Sequence, residues 1–187
     1  MLRHLPNLIT ILRIVLVVPM CALIAGQRWG LALVVAAAAG ISDALDGFLA
    51  RRFGWRSWLG GMLDPLADKI LLMAAFLWLA RGGVVAVWLA ALVIGRDIVI
   101  LAGAIAMHLL RGRFDAEPSA LSKLTTVVQI VYVLATLVHL WRANLDTFGL
   151  IRGLAFATAV LTVASGVHYV ATRGRRILSS PSGAQHP

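Results

Sequence analysis

Ser42–Lys69, SDALDGFLARRFGWRSWLGGMLDPLADK, holds Asp43, Asp46, Asp64 and Asp68, half of the eight acidic residues of the chain. All four stand at the edges of two strongly apolar runs. A carboxylate inside a membrane helix costs roughly 3 kcal/mol, so four uncompensated ones cost on the order of 10 kcal/mol. Spacing indicates what compensates them. Asp43, Asp46 and Ala50 fall at i, i+3 and i+7, and Gly60, Asp64 and Asp68 at i, i+4 and i+8, each set on one helical face. The short connector Phe53–Trp58 turns the chain, so the two helices are expected to be antiparallel neighbours. Their acidic faces then meet in an all-oxygen site suited to Mg²⁺ or Mn²⁺.

Outside this window the chain is overwhelmingly apolar. It has 187 residues, 60% of them hydrophobic, and a mean hydropathy of +0.90, which describes one integral membrane domain rather than a soluble globule. The net charge of +9 is spread over arginines at the ends of apolar runs. There it sets topology and holds anionic lipid headgroups, so no nucleic acid partner is expected. The lone Cys21 lies in an apolar run and excludes an intrachain disulfide. The first apolar stretch is too long for a typical signal segment and is read as a retained helix.

Apolar spans of about 20 residues recur along the chain. They are placed at Leu5–Ala25, Gly30–Arg51, Leu59–Ala80, Val84–Leu110, Ser119–Trp141 and Phe148–Thr172. The expected architecture is an all-α integral membrane protein of six transmembrane helices. Residues 1–177 form the catalytic domain and 178–187 a disordered, small and polar tail. With alternating spans, Arg3, Arg51, Arg52, Arg56, Arg111, Arg113, Arg173, Arg175 and Arg176 share one side, against Arg28, Arg81, Arg142 and Arg152 on the other. The richer side is expected to be cytoplasmic (or in the matrix), with the mouth of the acidic site.

Further polar residues interrupt the spans. Asn7, Thr10 and Arg13 recur at three-residue steps, either as an interfacial helix start or as a stripe facing the site. Arg96-Asp97 lies deep in the fourth span, where adjacent residues point about 100° apart and make a poor mutual salt bridge. Arg96 is either an interhelical clamp or a cavity cation for an anionic acceptor. Lys123 either snorkels to the interface or turns inward with Thr126 and Gln129, which extend its polar face. Lys69 is expected to point off the acidic face towards lipid phosphate. The tryptophans near span ends, and His168-Tyr169, read as interfacial anchors.

The long window resembles the signature of the CDP-alcohol phosphatidyltransferases. Asp43-x-x-Asp46-Gly47-x-x-Ala50-Arg51, then Gly60, Asp64 and Asp68, fill every fixed position at the right spacing. The resemblance implies a helical-bundle phosphatidyltransferase of phospholipid biosynthesis, working as a homodimer. Asp43, Asp46, Asp64 and Asp68 become ligands of two Mg²⁺ or Mn²⁺ ions, and Asp68 the general base. Asn7 and Thr10 join Asp46, Gly47, Ala50, Arg51 and Gly60 in holding the cytidine nucleotide of CDP-diacylglycerol. The small Gly47, Ala50 and Gly60 let it approach the helix backbones closely. Arg96 and Lys123 are expected to meet the phosphate of an anionic glycerol-type acceptor.

Within the family, DPLADKIL at Asp64–Leu71, GRD at Gly95–Asp97 and SKLTTVVQ at Ser122–Gln129 are similar to the single-signature cardiolipin synthases. That branch transfers to phosphatidylglycerol. The sister branch, with glycerol 3-phosphate as acceptor, more often has Arg-Glu and Gly-Lys at the two latter places. An ion-coupled transporter is the reading from a different class, although the acids cluster at one face and no internal repeat is evident.

Overall fold

A computed structural model of the protein describes the backbone of residues 5–53, 58–111, 119–142 and 147–178, and the side chains of 11–42, 69–103, 105, 119–142 and 147–172. Six helices follow in order: α1 (Leu5–Ala25), α2 (Trp29–Phe53), α3 (Trp58–Arg81), α4 (Val87–Arg111), α5 (Ala120–Trp141) and α6 (Phe148–Leu178). Each coincides with one expected span, and most ends fall within three residues of expectation. The exception is α6, which runs on past Thr172 because nothing in ATRGRRIL stops a helix decisively. The turn between α2 and α3 and the tail beyond Leu178 lie outside the described residues.

Two helix ends show how the breaks are made. At the end of α3, Val84 N–H donates to Leu79 O at 2.9 Å and Gly83 N–H to Ala80 O at 3.0 Å. Gly83 supplies the left-handed residue, φ 72°, that this cap requires. α1 ends in the same way, with Arg28 N–H on Leu23 O at 2.8 Å and Gln27 N–H on Ile24 O at 3.0 Å. Here the left-handed residue is Gln27, φ 55°, and not its neighbour Gly26. α5 starts on Ser119, whose hydroxyl accepts from Ser122 N–H at 3.2 Å.

The helices close into a ring in which α1 packs on α2 and α3, α2 on α5, α5 on α6, α6 on α4, and α4 on α3. α3 also reaches across to α5. Its centre is apolar: Met20, Phe76, Leu79, Leu89, Val93 and Leu137 are fully buried. Phe76 meets Tyr132 with ring centroids 5.9 Å apart. Among the described residues α2 and α3 do not touch each other, and α1 links them. The expected meeting of their acidic faces concerns side chains outside the description.

Polarity is inverted relative to a protein folded in water. Arg13, Arg96, Asp97, Thr125, Gln129, Thr136, Thr158, Thr162 and Ser165 are buried, while Val18, Val34, Val87 and Phe156 are each more than 60% exposed. Water penalises such a surface, whereas a hydrocarbon solvent favours it. Among the described residues α5 and the Phe148–Thr172 part of α6 are each long and apolar enough to cross a bilayer. Trp29, Trp88 and Trp141 stand at helix ends, and the Arg142 guanidinium lies 4.4 Å from the Trp141 ring centroid, a pairing suited to an interface.

Candidate active site

The four signature aspartates fall on formed helices, Asp43 and Asp46 on α2 and Asp64 and Asp68 on α3. Both helices run unbroken through the motif, so the i, i+3 and i, i+4 registers that put each pair on one face hold. Gly47, Ala50 and Arg51 follow on α2, Gly60 lies on α3, and Asn7 and Thr10 lie on α1, the helix that packs on both. The side chains of all these residues are outside the described set. One turn beyond Asn7 and Thr10, Arg13 is 1% exposed. At Arg13 the polar side chain is thus inside the bundle.

Among the described residues no three His, Cys, Asp or Glu side chains group as a metal site; the side chains of the signature aspartates lie outside that set. Their chemistry fits the group: four carboxylates offer only hard oxygen donors, the preference of Mg²⁺ and Mn²⁺.

Beginning at Lys69, the residue after Asp68, a second polar assembly joins four helices. On α4, Arg96 Nη1 donates to Asp97 Oδ1 at 2.5 Å. Arg96 Nη2 donates to Ser122 Oγ of α5 at 2.6 Å and to Ser165 Oγ of α6 at 2.7 Å. Lys69 Nζ of α3 reaches the same Asp97 Oδ1 at 3.4 Å. The side chains of Arg96 and Asp97 are each only 3% exposed, whereas that of Lys69 is 26% exposed.

This geometry corrects two expectations. The adjacent Arg96 and Asp97 do pair, because the long guanidinium arm folds back and overcomes the 100° divergence of their Cα–Cβ bonds. Lys69 contacts the carboxylate of α4, so its ammonium is turned into the bundle. Arg96 bridges α4, α5 and α6, as the interhelical-clamp reading requires. Lys123, expected either to snorkel or to turn inward, is exposed on α5, and the neighbouring Ser122 accepts from Arg96. Among the described residues Thr126 bonds only the Ser122 carbonyl, at 3.2 Å, while Gln129 faces inward as expected.

Polar contacts continue along the α5–α6 seam. Thr125 Oγ1 donates to Leu121 O at 2.7 Å and lies 3.2 Å from Leu161 O across the seam. Gln129 Nε2 donates to Thr162 Oγ1 at 3.0 Å. Ser122, Thr125, Ser165, Thr158 and Thr162 were not singled out from the sequence. Their signal was there: Ser122, Thr125 and Gln129 recur at i, i+3 and i+7, and Thr158, Thr162 and Ser165 at i, i+4 and i+7. Of the terminal pair, His168 is exposed, whereas Tyr169 Oη donates to Ile100 O at 3.2 Å and ties α6 to α4.

Comparison with known proteins identifies the family. The family model for CDP-alcohol phosphatidyltransferase matches residues 3–168. A cardiolipin synthase (CMP-forming) of Homo sapiens is 34% identical over 148 residues, covering 71% of this chain and 49% of its own length. A probable cardiolipin synthase (CMP-forming) of Drosophila melanogaster is 31% identical over 185 residues, 90% of this chain and 57% of its own. The chain spans about half the length of these two relatives. A CDP-diacylglycerol–glycerol-3-phosphate 3-phosphatidyltransferase of Salmonella choleraesuis is 35% identical over 179 residues, 91% of this chain and 96% of its own length. The matched region holds α1 whole, both motif helices and the Arg96 cluster, so the chain belongs to the CDP-alcohol phosphatidyltransferase family.

Proposed function

We propose that this protein is a phosphatidyltransferase of phospholipid biosynthesis that moves the phosphatidyl group of CDP-diacylglycerol to a hydroxyl of phosphatidylglycerol, giving cardiolipin and CMP. The observation that carries the reading is the complete aspartate signature set in register on two formed helices. Asp43, Asp46, Asp64 and Asp68 hold two divalent ions, Mg²⁺ or Mn²⁺. When bound, the ions neutralise the pyrophosphate and the charge developing on it as the leaving group departs.

The protein's own residues do the rest. Asn7, Thr10, Asp46 and Arg51 orient the nucleotide, and Gly47, Ala50 and Gly60 leave room for it against α2 and α3. Asp68 accepts the proton of the acceptor hydroxyl as that oxygen attacks the phosphorus bearing the diacylglycerol. The phosphorus–oxygen bond to CMP breaks, and CMP carries away the electron pair. All six helices cross the bilayer in this reading, with the motif ends of α2 and α3 on the cytoplasmic or matrix side, where CDP-activated lipid is made. Two copies associate as a homodimer.

Phosphatidylglycerol is favoured as acceptor because a soluble dianion needs several convergent cations, and Arg96 spends its Nη donors on Asp97, Ser122 and Ser165. The likeness to the human cardiolipin synthase supports the same choice. Glycerol 3-phosphate remains the second reading, favoured by the near full-length match to the Salmonella protein. Family membership sets aside the transporter. In the test, purified protein given CDP-diacylglycerol and acceptor releases CMP only with Mg²⁺ or Mn²⁺ present. Full activity in excess chelator overturns the metal-dependent mechanism. A cysteine placed in the Phe53–Trp58 connector is labelled only from the cytoplasmic face; labelling from outside intact cells overturns the orientation.

A further inference from the structure

Beyond the Arg96 cluster, α5 and α6 meet through a ladder of polar contacts. Its first rung is Ser122 with Ser165, both bonded to Arg96 Nη2. Thr125 on Leu161 O is the second and Gln129 on Thr162 the third. The two helices run antiparallel, so numbers rise along α5 as they fall along α6. The next polar position on α6 is Thr158, one turn before Thr162 on the same face. Opposite it, three and four residues after Gln129, α5 offers Tyr132 and the apolar Val133. The Tyr132 ring packs on Phe76 of α3, centroids 5.9 Å apart. The fourth rung therefore has a hydroxyl on one side only.

Two polar atoms at this level bond no protein group. Gln129 and Thr158 are both 0% exposed, and Gln129 Oε1 and Thr158 Oγ1 are each buried without a partner. Thr158 differs here from other threonines of the chain. Thr125, Thr126, Thr136 and Thr172 each donate to the carbonyl four residues back in their own helix, at 2.6–3.2 Å. Thr158 forgoes that bond, although a helix offers it to every threonine. Turning the Gln129 amide over does not help Thr158, since a hydroxyl would bond either amide atom within reach. A buried hydroxyl and a buried amide oxygen left in this way are costly, and buried water is what ordinarily satisfies them.

We propose that the α5–α6 seam binds one buried water molecule between Gln129 Oε1 and Thr158 Oγ1. The water donates one hydrogen to the amide oxygen and accepts the hydrogen of the threonine hydroxyl. Its second hydrogen serves a helix carbonyl, which has a lone pair to spare. The water stands in for the side chain that α5 lacks opposite Thr158, so a fourth hydrogen-bonded rung holds the seam. The site is separate from the signature aspartates and does not rest on phosphatidyl transfer.

Thermal unfolding of the full-length protein in detergent tests the site by the sign of one change. Thr158→Val keeps the shape of the side chain and removes the hydroxyl. With water bound there, the variant takes a partner from it and lowers Tm by about 2–4 °C, the scale of one buried hydrogen bond in a chain of this length. With a dry hydroxyl, valine replaces an unsatisfied polar group, and an unchanged or raised Tm overturns the proposal. In a Gln129→Met background the loss from Thr158→Val shrinks, because both changes break the same bridge; strictly additive losses overturn it as well. A density map of the parent protein, fine enough to show other buried waters, gives a readout that needs no variant. A peak is expected about 2.7–3.2 Å from both atoms. A map without that peak, or with the Thr158 hydroxyl turned onto the Leu154 carbonyl, removes the site.

Discussion

Two polar regions lie side by side in this bundle and are built on opposite plans. The motif ends of α2 and α3 concentrate like charges, four carboxylates in one window of sequence, with no cation among Asp43, Asp46, Asp64 and Asp68 themselves. Carboxylates grouped in this way favour a bound cation, which in the function proposed above is a divalent metal. The Lys69–Asp97–Arg96–Ser122–Ser165 cluster takes its partners from four helices and satisfies most of its donors internally. In the function proposed above the first region would lend its charge to chemistry, whereas the second uses charge to fix helices relative to one another. Lys69, next to Asp68 in the chain, lies where they join.

Substitutions separate the two plans. The largest effect belongs to the signature: Asp68→Asn lowers turnover by about 10²-fold or more while nucleotide binding persists, the usual scale for losing a general base. Asp43→Ala or Asp46→Ala weakens metal and nucleotide binding themselves. Steady-state rates beside CDP-diacylglycerol binding distinguish the cases, and near-normal turnover in Asp68→Asn removes it as the base.

Next comes the clamp. Arg96→Met strands Asp97 in the interior with only the distant Lys69, a loss of about 3 kcal/mol in stability. The double change Arg96→Met with Asp97→Leu removes both buried charges and recovers much of that loss. Thermal unfolding in detergent reads both, and a double variant no better than the single one contradicts the buried-pair account. Smaller again is Gly103→Ala. A Cβ there stands 2.9 Å from the Tyr169 ring carbon Cε1, so the rigid ring must shift, at about 1–3 kcal/mol. Gly40→Ala, with open space around its Cβ inside α2, is the control without a clash and gains about 0.5–1 kcal/mol of helix propensity.

The smallest predicted change is a gain. Gln27→Gly relieves a left-handed residue at the end of α1 and raises stability by about 0.5–1 kcal/mol. The corresponding position after α3 already has Gly83.

What the sequence made legible follows the same division. Helix positions were readable because lipid-facing runs need about 20 apolar residues and the breaks carry Gly, Arg and Pro. The signature was readable because its aspartates are close in sequence and their spacing is local to each helix. The clamp was not, since Lys69, Arg96, Ser122 and Ser165 are brought together only by tertiary packing. Serine and threonine signals are weak in a membrane helix, where a hydroxyl can equally bond its own backbone, as Thr136 does with Tyr132 O at 2.7 Å. The Arg96–Asp97 pair was misread because Cα–Cβ direction was used for a side chain long enough to ignore it. Gln27 was missed because the adjacent Gly26 is the residue a helix end ordinarily uses.

The most direct measurement is a competition assay in which the purified protein, with Mg²⁺ or Mn²⁺, receives CDP-diacylglycerol labelled in its phosphatidyl group and both acceptors together. The account predicts CMP release in step with label appearing in cardiolipin. Label found only in phosphatidylglycerophosphate contradicts the acceptor, and a lipid fraction with no labelled transfer product contradicts the phosphatidyltransferase reading itself.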